Sequence, residues 1–274
     1  MSLLQRGYSN VRPPAVAGRF YPENPVELRR MIEGFLREVK ADGGPAPKAI
    51  IAPHAGYVYS GPVAASAYAR LAPVREAVRR VVLIGPSHRS SFEGLAATSA
   101  AAFATPLGAV PVDTAAVRDI CSRLPQVSVR DAPHANEHAL EVHLPFLQVV
   151  LANFKIIPLL AGDASDETIA EVIEALWDGG ETRFVISSDL SHYHEYAGAC
   201  ELDAATARTI EELRTADLGV DQACGRMPIR GLMRVAGRHG LLACTLDLRN
   251  SGDTAGPRNQ VVGYGAFAFE EAAG

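Results

Sequence analysis

No two cysteines in this chain are spaced as CxxC. The four that exist, Cys121, Cys200, Cys224 and Cys244, are scattered through 274 residues. That excludes a disulfide framework and favours a reduced, cytoplasmic setting. No apolar run approaches the roughly 18 residues of a membrane span, and the opening residues carry no apolar signal core. A basic stripe is also missing: Lys and Arg total 26 against 31 Asp and Glu, a net charge of −5. Nucleic acid and membranes are therefore not expected partners. There is no long acidic block, repeat or Ser/Gly linker. Neither GxGxxG nor a P-loop follows a strand-like run, and no GxSxG elbow occurs, so nucleotide binding and serine hydrolysis lose support. The nearest approach to HExxH is Glu137-His138 with His143, but those histidines are five apart rather than four.

What remains is a chain with 48% hydrophobic and 21% charged residues, enough to build one large α/β domain over 1–274. Residues 1–22 are expected as an arm packed on that domain, its prolines excluding a helix interior. Asn24 and Pro25 then form a helix start. Leu28, Met31, Ile32, Phe35, Leu36 and Val39 recur at helical spacing, and Asp42-Gly43-Gly44-Pro45 forms a stop. Strand-like runs at 48–52 and 81–85 flank a small-residue helix at 61–71, a βαβ pattern. Further strands are expected at 95–99, 155–160, 183–187, 241–248 and 260–269. Further helices are expected at 113–123, 165–178, 201–214 and 229–239. The segment 137–153 also reads as helix, kinked or restarted by Pro145. The loop at 249–259 is too short for a helical crossover, so the sheet should be mixed with an antiparallel edge.

Four polar clusters follow these runs, the last less strictly led by a strand. They are Pro53-His54-Ala55-Gly56-Tyr57, Gly85-Pro86-Ser87-His88, Ser187-Ser188-Asp189-Leu190-Ser191-His192 and Cys224-Gly225-Arg226-Met227-Pro228-Ile229. Open α/β sheets place their ligand sites in loops beyond the carboxyl ends of strands. A lone histidine there is commonly an ordinary polar group. Two on adjacent strand ends, about 5 Å apart, could reach one ion. His192 could be a ligand or a general acid/base. Asp189 could orient a histidine or cap the next helix. Cys121, Cys200 and Cys244 read as buried filler, whereas Cys224, in a loop shaped by glycine and proline, offers a thiolate to a borderline metal. Tyr57 and Tyr59 are candidates for a pocket rim and His138 for the pocket. Glu137 and Glu141 would share a helical face, and His134 and His239 are read as surface.

Together these stretches resemble the Memo family, also called AmmeMemoRadiSam system protein B. The match runs through RPPAVAGRFYP at 12–22, APHAGYVYSGPVAA at 52–65, IGPSH at 84–88, EHALEVHLPFLQ at 137–148, ISSDLSHY at 186–193 and CGRMPI at 224–229. The resemblance implies an α/β/α sandwich around a central, mostly parallel sheet, as in the class III extradiol dioxygenases. In those enzymes two histidines and a glutamate bind iron(II), and another histidine moves protons. Carried across, His54 and His88 match the metal-binding histidines, Cys224 takes the carboxylate's place, His192 matches the acid/base and Asp189 lies in the same pocket. The thiolate is a departure that softens the site toward copper or zinc.

Three functions follow. The first is an iron- or copper-dependent oxidoreductase with His192 and Asp189 as catalytic groups and Tyr57 and His138 toward the substrate. The second is a zinc hydrolase using metal-bound water. The third is a non-catalytic protein holding a small molecule, a peptide or another AmmeMemoRadiSam protein in the inherited pocket.

Overall fold

Three short runs, AIIA, KIIPLLA and TRFVIS, are buried at nearly every position. Strands apolar on both faces belong in the middle of a covered parallel sheet. In the computed structural model, which describes residues 10–40 and 44–271, they do. In chain order the strands are β1 (Val11–Arg12), β2 (Ala49–Ala52), β3 (Arg80–Pro86), β4 (Leu95–Ala97), β5 (Ala102–Thr105), β6 (Gly108–Pro111), β7 (Val127–Val129), β8 (Lys155–Ala161), β9 (Thr182–Ser187), β10 (His192–His194), β11 (Leu241–Asn250) and β12 (Val261–Glu271). The main sheet runs β10-β12-β2-β9-β3-β8-β4-β7, with β11 also paired to β12. Strands β2, β9, β3 and β8 are mutually parallel, whereas β12 joins β2 antiparallel and β4 joins β8 antiparallel. The protein is therefore α/β with a central mixed sheet. A second, three-stranded sheet, β1-β5-β6, anchors the arm.

The helices are α1 (Pro25–Glu38), α2 (Tyr57–Ala69), α3 (Thr114–Arg123), α4 (Asp131–Ala135), α5 (Leu144–Val150), α6 (Asp166–Ala175), α7 (Tyr196–Glu211), α8 (Arg226–His239) and α9 (Ser251–Thr254). The Asn24 side chain caps α1 by accepting from the amides of Val26 and Glu27. Helix α1 ends at Glu38, before the expected stop, of which Asp42 and Gly43 lie outside the described residues, as do residues 1–9 of the arm. Helices α1, α2 and α5 pack on one another, with α2 against β2, β11 and β12. Helices α6 and α8 pack together, with α8 against β3, β9 and β11.

Two differences from the sequence reading have local causes. Helix α2 starts at Tyr57 rather than 61, because the chain tolerates Pro62 inside it. The lost bond is the one to the carbonyl of Val58, a residue on an exposed turn. The segment 137–153 is not one helix: a 3₁₀ turn at Glu141–His143 precedes α5, with Pro145 in its first turn. Among the described residues no helix is long and apolar enough to cross a membrane.

Candidate metal centre

Strand order decides what can meet. Strands β2 and β3 are not neighbours; β9 lies between them. The expected 5 Å separation of their ends is therefore about two strand spacings, roughly 10 Å. The rings close that gap themselves, with the His54 and His88 centroids 5.0 Å apart. His138, from the segment after α4, brings a third ring. It stacks on His88 at 4.8 Å and meets His54 edge-on at 5.4 Å. One ring nitrogen from each of His54, His88 and His138 lies within 4.8 Å of the others.

Glu137 organises two of these rings. Its carboxylate accepts from the His88 amide (2.7 Å), His88 Nδ1 (2.9 Å), the His138 amide (2.9 Å) and the Ala139 amide (3.0 Å), and lies 3.1 Å from His138 Nδ1. Burial alone would raise its pKa, but the hydrogen bonds from His138, His88 and Ala139 outweigh it and hold the carboxyl well below the usual range. An ionised carboxylate accepts only, so both rings donate from Nδ1 and, when neutral, keep a lone pair at Nε2. Sequence reading missed this role. The signal available was a carboxylate directly beside a pocket histidine.

His54 is enclosed. Its amide donates to Asp189 Oδ1 (2.8 Å), its Nδ1 meets Ser187 Oγ (2.7 Å) and its Nε2 faces Cys224 Sγ (3.3 Å). Burial, and then the nearby His88, His138 and His143, push its pKa well below the ordinary value. Asp189 does not cap a helix, because β10 follows it; its carboxylate instead ties the β9 end to the β2 end. Burial pushes its pKa up, against the His54 amide and the charges of His192, His138 and His88. His192 therefore lies within electrostatic reach of Asp189, half-buried and paired with Val262 of β12. Between His192 and His194 the exposed Tyr193 has φ 61°, a left-handed backbone rare for a bulky residue, where the β10–β12 register slips.

Cys224 precedes α8. Burial and then Asp189 push its thiol up to about 12, against hydrogen bonds from Ser188 and the backbone of Asp189 and Gly225. Gly225 lets the two loops touch, since a Cβ there would sit 2.5 Å from the Ser187 carbonyl oxygen. The thiol borders His54 but stands outside the three-ring group. A cleft of about 520 Å³ opens beside it, with His88 and Cys224 on its wall and Arg89, Asp163, Arg226 and Met227 around them.

Other expectations move. Tyr57, expected at the rim, is instead 2% exposed and donates to the Val142 carbonyl (2.6 Å), packed between Tyr21 and Phe146. Tyr59, expected there too, is partly exposed. His134 is buried rather than on the surface, its Nε2 on the Ala96 carbonyl (2.9 Å). His239 is on the surface, as expected, stacked on Trp177 and paired with Glu174. Cys200 is exposed rather than buried filler.

The arm supplies a wall of the site. Phe20 packs on the His138 ring at 4.9 Å, and its carbonyl accepts from the Tyr57 amide. The arm is fastened by Glu141, which accepts from Arg12 Nη1 (2.5 Å), Tyr21 Oη (2.6 Å) and the amides of Ala15 (2.7 Å) and Val16 (2.9 Å).

Comparison with known proteins places the sequence in a family. A family model described as Memo-like protein matches residues 12–268. Proteins named as MEMO1 family members are similar along nearly their whole length. The one from Sulfolobus acidocaldarius is 33% identical over 94% of this chain and 99% of its own. Those from Aquifex aeolicus and Ignicoccus hospitalis are 34% and 36% identical, each over 94% of this chain and 99% and 98% of theirs.

Proposed function

Because the chain belongs to the Memo family and gathers three imidazoles at one sheet end, we propose that it is a mononuclear metal-site protein. On this reading it acts as an iron- or copper-dependent oxidoreductase on a small molecule, with a fold related to the class III extradiol dioxygenases. Residues 1–274 act as one Memo-like domain. The observation that carries the metal assignment is the His54–His88–His138 grouping, supported by Glu137 behind two of its rings.

The donor set fits the ion. Imidazoles beside a thiol suit iron, copper or zinc, and not magnesium or calcium. His54, His88 and His138 would hold it, with Cys224 as the adjoining soft donor. Bound there, iron or copper supplies redox chemistry toward oxygen. The chain's own groups do the rest. Glu137 keeps two rings aimed. Asp189 holds the His54 backbone. His192, on β10 and within electrostatic reach of Asp189, moves a proton to or from the substrate. The cleft beside His88 and Cys224 admits that substrate.

Metal content of protein purified without oxygen, beside His54→Ala, His138→Ala and Cys224→Ser variants, tests the reading. The expected result is close to one iron or copper per chain in the wild type, lost in both histidine variants and kept in Cys224→Ser. Loss in Cys224→Ser with retention in His138→Ala would exchange those two ligands. One zinc per chain, with turnover independent of oxygen, would turn the assignment to a metallohydrolase. No metal, and none taken up on reconstitution, would sink both enzymatic readings and leave the crevice as a binding pocket for a small molecule or peptide.

A further inference from the structure

Ser187 ends β9, the strand between the two histidine-bearing strands β2 and β3. Its hydroxyl is 0% exposed and has three partners: the Ala139 carbonyl oxygen at 2.6 Å, His54 Nδ1 at 2.7 Å and His143 Nε2 at 2.8 Å. A hydroxyl has one proton and two lone pairs. A carbonyl can only accept, so the proton points at Ala139. Both lone pairs must then accept, and both ring nitrogens must carry hydrogen. His54 is thereby protonated at Nδ1. Its lone pair falls on Nε2, the atom facing Cys224 Sγ, in the ring that His88 and His138 both meet edge-on.

We propose that Ser187 is a positioning residue that locks His54 as the Nδ1–H tautomer and so makes Nε2 its metal-binding nitrogen. The inference rests on the reading of the crevice as a metal site. It gives each ring of the trio an outer partner: Ser187 for His54, Glu137 for His88 and His138. Such partners set which nitrogen is free and hold the ring in place. Few side chains can replace the serine. Alanine has no acceptor for two N–H groups in a dry site, and a carboxylate would lack the proton that Ala139 takes. Threonine keeps the hydroxyl.

Nitrogen-15 NMR of the imidazoles in metal-free protein reads the tautomer directly, and zinc affinity by chelator competition reads its consequence. The wild type is expected to show His54 as Nδ1–H. Ser187→Ala should shift His54 toward Nε2–H and weaken zinc by about 10–100-fold, whereas Ser187→Thr should restore both. Wild-type His54 found as Nε2–H overturns the proposal, and that measurement needs no variant to fold. So does a folded Ser187→Ala protein with unchanged tautomer and affinity. A wild type that shows Nδ1–H but takes up no zinc, iron or copper overturns the metal reading and leaves the tautomer assignment standing.

Discussion

Glu137 and Glu141 stand four residues apart, are both buried, and do opposite jobs. Glu137 turns toward the crevice and collects donors from His88 and His138. Glu141 turns toward the arm and collects Arg12, Ala15, Val16 and Tyr21. One carboxylate aims rings that face a cleft; the other closes a dry seam. Arg12 links them, donating to the Glu141 carboxylate and to the Glu137 carbonyl. Similar chemistry at neighbouring positions thus serves function in one place and stability in the other, and the surroundings decide which.

The largest effect is expected at Glu141. Glu141→Gln leaves the buried Arg12 charge with carbonyl partners but no carboxylate, which should cost about 3–5 kcal/mol of stability. Urea unfolding would measure it, and hydrogen exchange at the Ala15 and Val16 amides should accelerate. If those amides stay protected, Glu141 is not the fastener.

Acid probes both sides at once. Burial holds His143, behind the crevice, down to about 3, and His134, under the arm, down to about 4, against an ordinary 6.5. Both are neutral in the fold and protonated in the unfolded chain below about pH 6.5. The unfolded state therefore binds more protons in that window, and stability present above it is lost as pH falls toward 4 and then 3. Between pH 6 and 5 the two rings together should remove about 2–3 kcal/mol. Unfolding midpoints unchanged over that range would refute the assignment.

Glu137→Gln should act on the other scale. Metal affinity should fall about 10–100-fold while the Ala15 and Val16 amides keep their protection. A variant that instead frees the arm would erase the distinction between the carboxylates. The smallest effect is expected at Phe20→Leu, which loses an aromatic contact with His138 worth about 0.5–1.5 kcal/mol. The change should appear as a modest shift in the His138 ring resonances rather than as unfolding.

Much of the fold is legible in the sequence. The strand at Ala49–Ala52 and the helix at Pro25–Glu38 announce themselves by apolar runs and a capped periodic face. The loops carrying His54 and His88 follow from strand ends. The second sheet was hidden because AFAT and GAVP are short and rich in alanine and glycine, with little strand preference to read. That β9 lies between β2 and β3 was also hidden, because periodicity carries no strand order. The roles of Ser187 and Glu137 therefore do not show in the sequence. His138 reads in the sequence as a substrate contact rather than as a partner of the two other rings, since stacking on His88 is a long-range fact.

The bond between Arg12 and Glu141 spans 129 residues, and the amide of His54 waits 135 residues for Asp189. At a synthesis rate of roughly 5–20 residues per second, the arm is outside the ribosome on the order of ten seconds before its fastener appears. Cys224 arrives later still, 170 residues after His54. The crevice is thus one of the last parts of the molecule to exist during synthesis. Any ion held by the three rings must wait for β9, the strand that lies between β2 and β3 and ends at Ser187.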